Sequence, residues 1–450
     1  MPLLTGTPSA LDTGDTAWLL VSCALVLLMA PGLALFYGGM VRAKSVLNMM
    51  MMTFGALAAA IIVWTVVGYS FAFGDDVGGG LLGSPLQHVG LHGLMAASSN
   101  GVSPIPVILF AVFQGLFCVI TGALVSGAIA DRARFGAWMA FVSVWTVVVY
   151  APVAHWVFDA SSGSHVGGWL ANQVHLVDFA GGTAVEICSG ASGLALALVL
   201  GRRHGFGKDP MRPHNLTLVM MGAGLLWFGW FGFNAGSALA ANQKAAVIFT
   251  TTLLAGAAGT LGWLAVERYR DGHATSLGAA SGMVAGLVAI TPSCASLSPL
   301  GSIAMGALAG MVCAFAVGLK HRFGYDDSLD VVGVHLVGGL VGTLGIGFLA
   351  TASAPTGVNG LLYGGGVGQL GRQALGCLVV MVYAFVVSGV LGLAVERLLG
   401  FRIHVDDEVS GIDLVLHAET AYDLHHLSSG RPSFHHGLTH PASQPPERAG

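Results

Sequence analysis

The chain has 450 residues, of which 54% are hydrophobic and only 9% carry a charge, and its formal net charge is −4. A soluble globular protein carries roughly a quarter charged residues, so this composition excludes a water-covered surface, and the near-neutral balance excludes nucleic-acid binding. The mean hydropathy of +0.77 and 67 glycines point instead to a membrane helix bundle, where small residues let backbones approach closely.

A bilayer core takes about 20 mostly apolar residues per helix. Runs of that kind lie at 16–38, 46–72, 105–129, 137–157, 180–200, 216–240, 245–267, 275–294, 299–319, 331–352 and 370–398. The count of eleven depends on splitting the chain around Ala241–Lys244 and around Ser296–Ser298. No basic segment precedes the first run, so no cleaved signal peptide is expected. Loop charges test the count. Arg42 and Lys44 follow the first run, Arg132 and Arg134 the third, and Arg202, Arg203, Lys208 and Arg212 the fifth. Arg268 and Arg270 follow the seventh, Lys320 and Arg322 the ninth, and Arg397 and Arg402 the eleventh; Lys244 and Arg372 are the exceptions. Basic residues mark cytoplasmic loops, which predicts an outside N-terminus and an inside C-terminus.

The fifth and tenth runs share a pattern. Glu186 is followed by Gly190 and Gly193, and His335 by Gly339 and Gly342, at the same spacing. Five runs separate them, and an odd number inverts topology, so the pattern predicts two inverted five-helix repeats plus one extra helix, with the substrate path where the halves meet. Glu186 and His335 are also the two ionisable groups set well inside a run. Such groups are costly in lipid and face a pathway or a bundle interior, and the repeat axis should bring them together. The bland alternative is a pair that merely ties two helices. Asp178 and Asp330 stand near helix starts and are read as caps on free N–H groups. Phe113 and Phe117 lie one turn apart, and Trp230, Phe231 and Phe233 cluster on the sixth run. These are either ordinary membrane core or a cation–π surface and gate.

The six cysteines sit mostly in apolar runs without metal-ligand spacing and read as small buried hydrophobes. No metal triad, phosphate loop or nucleophile–base spacing suggests an enzyme or a cofactor. Residues 1–400 form the membrane domain, 401–424 a polar cytoplasmic tail, and 425–450, rich in His, Ser and Pro, an expected disordered end.

Several stretches resemble the ammonium transporter family (Amt/Mep/Rh), over about residues 15–424. They are Pro31-Gly-Leu-Ala-Leu-Phe-Tyr-Gly-Gly39, Phe113-Gln-Gly115, Asp178-Phe-Ala-Gly-Gly-Thr183, Gly229-Trp-Phe-Gly-Phe-Asn-Ala-Gly-Ser237 and Asp330-Val-Val-Gly-Val-His335. Gly205-Phe-Gly-Lys208, Pro213-His-Asn215, Thr291-Pro292 and the tail Gly411-Ile-Asp413…His417…Glu419…Tyr422 agree as well. The resemblance implies eleven helices around a narrow pore, three pores per homotrimer in the lipid bilayer, and ammonium as substrate. It makes Phe117 and Phe233 the stacked gate, and Ser237, Phe113 and Asp178 part of or support for the outer ammonium site. His335 matches the second of two pore histidines; Thr291 and Asn234 fall near the pore. The resemblance also marks the tail as a docking segment for a trimeric nitrogen-signalling regulator.

Two positions depart from the family. Glu186 replaces the first pore histidine, and a carboxylate beside an imidazole can share or pass a proton. The outer-site tryptophan aligns with Phe158, beside an apparent insertion through Ser161–Gly167, with Trp156 or Trp169 as alternatives. The resemblance implies a transporter that strips ammonium of its proton and conducts ammonia past Glu186 and His335. The alternatives are an ammonium sensor using the same site, or an Rh-like channel for neutral gas.

Overall fold

The computed structural model describes residues 11–95, 104–162 and 165–422, which are helical throughout apart from turns and isolated bridges. The expected disordered end, 425–450, and two residues of the expected insertion lie outside the described residues. Each of the eleven apolar runs is occupied by a helix. Ten are long and apolar enough to cross a membrane: α1 (Thr13–Met40), α2 (Ala43–Phe73), α3 (Val107–Ile129), α4 (Phe135–Phe158), α5 (Gly182–Leu200), α6 (Leu216–Gly236), α7 (Gln243–Arg270), α9 (Pro299–Phe323), α10 (Val332–Leu349) and α11 (Gly368–Leu399). Between α7 and α9 lies the shorter α8 (Ser276–Ile290). Its run was expected to continue to 294, but Pro292 cannot carry the helix on. The chain instead turns through Thr291–Leu297, every residue of which is buried.

Small residues set how closely these helices pack. A side chain at Gly222 or Gly229 of α6 would collide with α1 backbone, at Phe36 N (2.3 Å) or Leu25 O (2.7 Å). In the same way Gly259 of α7 lies against the backbone of Gly286 in α8, and Gly310 of α9 against Gly259. In lipid, where water does not drive helices together, such close van der Waals contact carries much of the association.

Among the described residues four segments are π-helical: Trp64–Gly68, Thr146–Tyr150, Gly182–Ile187 and Val332–Leu336. π-turns are rare and cluster at functional sites. The last two open α5 and α10, and they hold Glu186 and His335.

The tail folds back on the bundle as α12 (Val405–Ser410) and α13 (Ile412–His417). Glu408 is buried; it pairs with Arg402 at 3.1 Å, faces Arg42 at 3.6 Å and accepts the His204 N–H at 2.8 Å. The Asp413 carboxylate accepts the N–H groups of Leu47 and Asn48 at 2.9 and 2.8 Å, capping the α-helical part of α2. Tyr422 Oη lies 2.9 Å from His214 Nε2.

Candidate functional site: a narrow cavity at a helix crossing

The site begins where α5 and α10 cross. A side chain at Gly190 would strike the backbone of Leu336 (2.5 Å), and one at Gly339 would strike Glu186 Cβ (2.9 Å). Each helix therefore lays its glycine, one turn beyond its own polar residue, against the polar end of the other. That contact brings Glu186 Oε2 to 2.7 Å from His335 Nδ1, with both side chains buried. The spacing shared by the two runs thus corresponds to a contact in space.

Both helix starts are held by carboxylates. Asp178 Oδ1 accepts the N–H groups of Gly181 and Gly182 at 2.8 and 2.7 Å. Its Oδ2 accepts the Thr183 N–H at 2.6 Å and the Thr183 hydroxyl at 2.5 Å. Asp330 was expected to cap α10 and does not. Its backbone has a left-handed φ of 64°, and its carboxylate meets Lys320 Nζ at 2.7 Å. The cap is Asp327, which accepts the N–H groups of Val331 and Val332 at 3.1 and 2.7 Å.

Behind the crossing runs a narrow cavity of about 10 Å³, lined by Leu33, Phe36, Ile120, Leu124, Glu186 and His335 among others. That is the threshold for holding one water-sized molecule. Trp230 also lines it, but its indole N–H is spent on Thr291 Oγ1 at 2.8 Å. Asn234, the other residue expected near the pore, donates to Thr252 Oγ1 at 3.1 Å. Among the described residues Glu186 and His335 are therefore the two ionisable groups lining an otherwise apolar cavity.

Phe233 closes one end of this cavity. Its ring stacks on Phe117 with centroids 4.0 Å apart and planes 12° from parallel. Phe117 faces the other way, into a vestibule of about 710 Å³ that also contains Phe113, Phe158, Asp178, Ser237 and Lys244. Phe113 lies 4.9 Å from Phe117, and Phe158 stands edge-on to it at 6.3 Å. Trp156 and Trp169 do not line this space. They pack on each other, and the Trp156 N–H is bound to Leu81 O at 2.8 Å. Ser237 Oγ donates to Phe233 O at 2.8 Å. With its proton committed, that hydroxyl can offer only lone pairs, which suits a ligand made of N–H donors.

Three vestibule or pore features were not singled out from sequence. Asp327 lay outside the Asp330–His335 motif. Lys244 had registered only as an exception to the loop-charge alternation; its Nζ lies 4.7 Å above the Phe179 ring. Asp159 and His165 meet in the vestibule wall, Oδ2 to Nε2 at 2.9 Å. The Asp159 contact raises the His165 imidazole above its ordinary value, against the opposing effect of burial. No short-range motif marks that pair.

Comparison with known proteins adds the family context. The Ammonium Transporter Family pattern matches residues 17–422. An ammonium transporter of Mycobacterium tuberculosis is 55% identical over 435 residues, covering 92% of this chain and 91% of the relative. Among solved structures, Mep2 of Saccharomyces cerevisiae superposes with a TM-score of 0.80 at 35% identity, covering 88% of this chain and 89% of that one. A protein described as a sensor Amt protein superposes with a TM-score of 0.82 at 26% identity, covering 89% and 98%.

Proposed function

The chain belongs to the ammonium transporter family, and from that premise we propose how its own residues handle the substrate. It is an ammonium transporter, a multi-pass protein of the cell membrane and not an enzyme. The observation that carries the mechanism is the 2.7 Å Glu186–His335 contact, set in a cavity of about 10 Å³ behind the Phe117–Phe233 stack.

Ammonium and potassium are similar in size and charge, but ammonium has four directional N–H donors and a removable proton. Ammonium docks in the vestibule outside Phe117, where aromatic faces attract the cation and Ser237 accepts an N–H. Asp178 supports this site electrostatically while it holds the start of α5. One N–H bond then breaks, its electron pair stays on nitrogen, and ammonia passes the phenylalanine stack into the apolar passage. Potassium has no proton to lose and meets the full cost of entering an apolar space as an ion. The released proton travels separately, with the Glu186–His335 pair as its relay, so net charge moves. The vestibule faces outward, in keeping with the loop-charge alternation, and the two halves form an inverted repeat. The molecule works as a homotrimer, and the tail at Gly411–Tyr422 receives a trimeric nitrogen-signalling regulator. The likeness to a sensor Amt protein favours one second reading, in which the same site reports ammonium through the tail.

Charge displacement in proteoliposomes after an ammonium pulse, with a potassium pulse as control, tests the mechanism. A saturable ammonium-specific current supports it. No current, with a pH-sensitive dye showing ammonia entry, would replace it by an electroneutral path; neither current nor entry would leave the sensor reading.

A further inference from the structure

We propose that Lys244 is a built-in competitor of the substrate: its tethered ammonium group sets how much external ammonium the vestibule needs for half-occupancy. The inference rests on the reading of the vestibule as the docking site.

Lys244 lies in the first turn of α7, half-buried in the vestibule wall that also contains Ser237 and Phe117. Its Nζ sits 4.7 Å above the ring of Phe179. Among the described residues, that Nζ makes no hydrogen bond and no ion pair; the backbone N–H of Lys244 is bonded to Asn242 Oδ1 at 3.0 Å. An alkylammonium over an aromatic face is what a docked ammonium ion would itself be. It is the one lysine or arginine among the described residues lining the vestibule.

Among the described residues no carboxylate forms an ion pair with it. Both oxygens of Asp178 are committed to three N–H groups and a hydroxyl, and Asp159 is paired with His165. The first turn of α7 adds the positive end of a helix dipole. An incoming cation therefore shares the space where it must dock with a positive charge that no ion pair holds; Asp178 attracts both cations but does not remove their mutual repulsion. Two unit charges about 10 Å apart in a half-solvated space repel enough to change affinity roughly 3- to 10-fold.

The test is a charge series in the full-length protein, reconstituted in proteoliposomes: Lys244→Arg, Lys244→Gln and Lys244→Glu, each read as the half-saturating ammonium concentration of the current. The expected result is a value near wild type for Arg, about 3- to 10-fold lower for Gln, and lower again for Glu. The differences should shrink when sodium chloride is raised from about 0.01 to 0.5 M, because screening removes the repulsion. The same order should hold for the ammonium concentration that stabilises each variant against heating in detergent, which needs no transport. A current absent in wild type would thus count against the conduction mechanism alone. The proposal is overturned if Gln and Glu leave both concentrations unchanged or raise them. It is also overturned if Arg, Gln and Glu shift them alike, since the lysine stem would then act only by packing on Phe179.

Discussion

Asp178 and Asp327 hold equivalent places: each stands eight residues ahead of a buried ionisable group, Glu186 or His335, and each accepts N–H bonds from the turn that starts its helix. The carboxylates thereby fix the π-helical turns from which Glu186 and His335 project. Asp178→Ala leaves three N–H groups and a hydroxyl without their acceptor. A single cap is worth about 0.5–2 kcal/mol, so a loss of about 2–4 kcal/mol is expected, with a smaller loss for Asp327→Ala. Thermal unfolding in detergent measures both, and Asp178→Asn should fall between wild type and Ala.

The Glu186–His335 pair predicts a non-additive result. Removing one partner of a buried pair strands the other and costs roughly 3–5 kcal/mol, whereas replacing both with apolar groups can be nearly neutral. Glu186→Leu and His335→Leu should each lower the unfolding temperature, and the double variant should recover much of that loss. All three should lose ammonium current. Stability and transport would then part company, which a purely structural tie between two helices does not produce. Single variants that kept both rate and selectivity would remove the relay from the mechanism.

How much of this could be read from sequence depends on the kind of interaction. The spans were legible because lipid enforces about 20 apolar residues per crossing. The meeting of Glu186 and His335 was legible because the glycines that pack their crossing keep the same spacing in both helices. Asp330 misled because it opens the motif that ends in His335, while its left-handed backbone turns the side chain to Lys320 and leaves the cap to Asp327. Capping is decided by a few backbone angles, which local composition does not encode. Lys244 and the Asp159–His165 pair were not legible for a different reason. Their significance comes from a wall assembled from distant segments, Phe179 with Lys244 and His165 with Asp75.

The tail offers a separate check. Asp413 accepts two N–H bonds from the start of the α-helical part of α2, so the tail and the membrane domain share a helix cap. Asp413→Ala should cost about 1–2 kcal/mol and make the segment after Phe401 cleave faster under limited proteolysis. If cleavage and unfolding temperature both stay at the wild-type values, the cap does not secure the tail.

The vestibule wall carries a pH dependence whose sign follows from His165. Its ring faces Asp159 at 2.9 Å and Asp75 at 3.4 Å, while the neighbouring His155 lies 3.3 Å from Asp159 and 3.6 Å from Asp76. Bonding to Asp159 raises the imidazole above its ordinary value of 6.5 despite its burial. A group whose folded value is raised contributes stability that is complete below its unfolded value and disappears as pH climbs through the folded one. The pairing should therefore hold the wall below the ordinary value of 6.5 and weaken as pH rises above it, through the raised folded value. His165→Gln keeps a hydrogen-bond donor but cannot take up the proton. The expected outcome is an unfolding temperature that falls less steeply over that range in the variant than in wild type, with the two converging at the alkaline end. A difference that instead grows with pH would mean that the neutral ring, and not the ion pair, secures the wall.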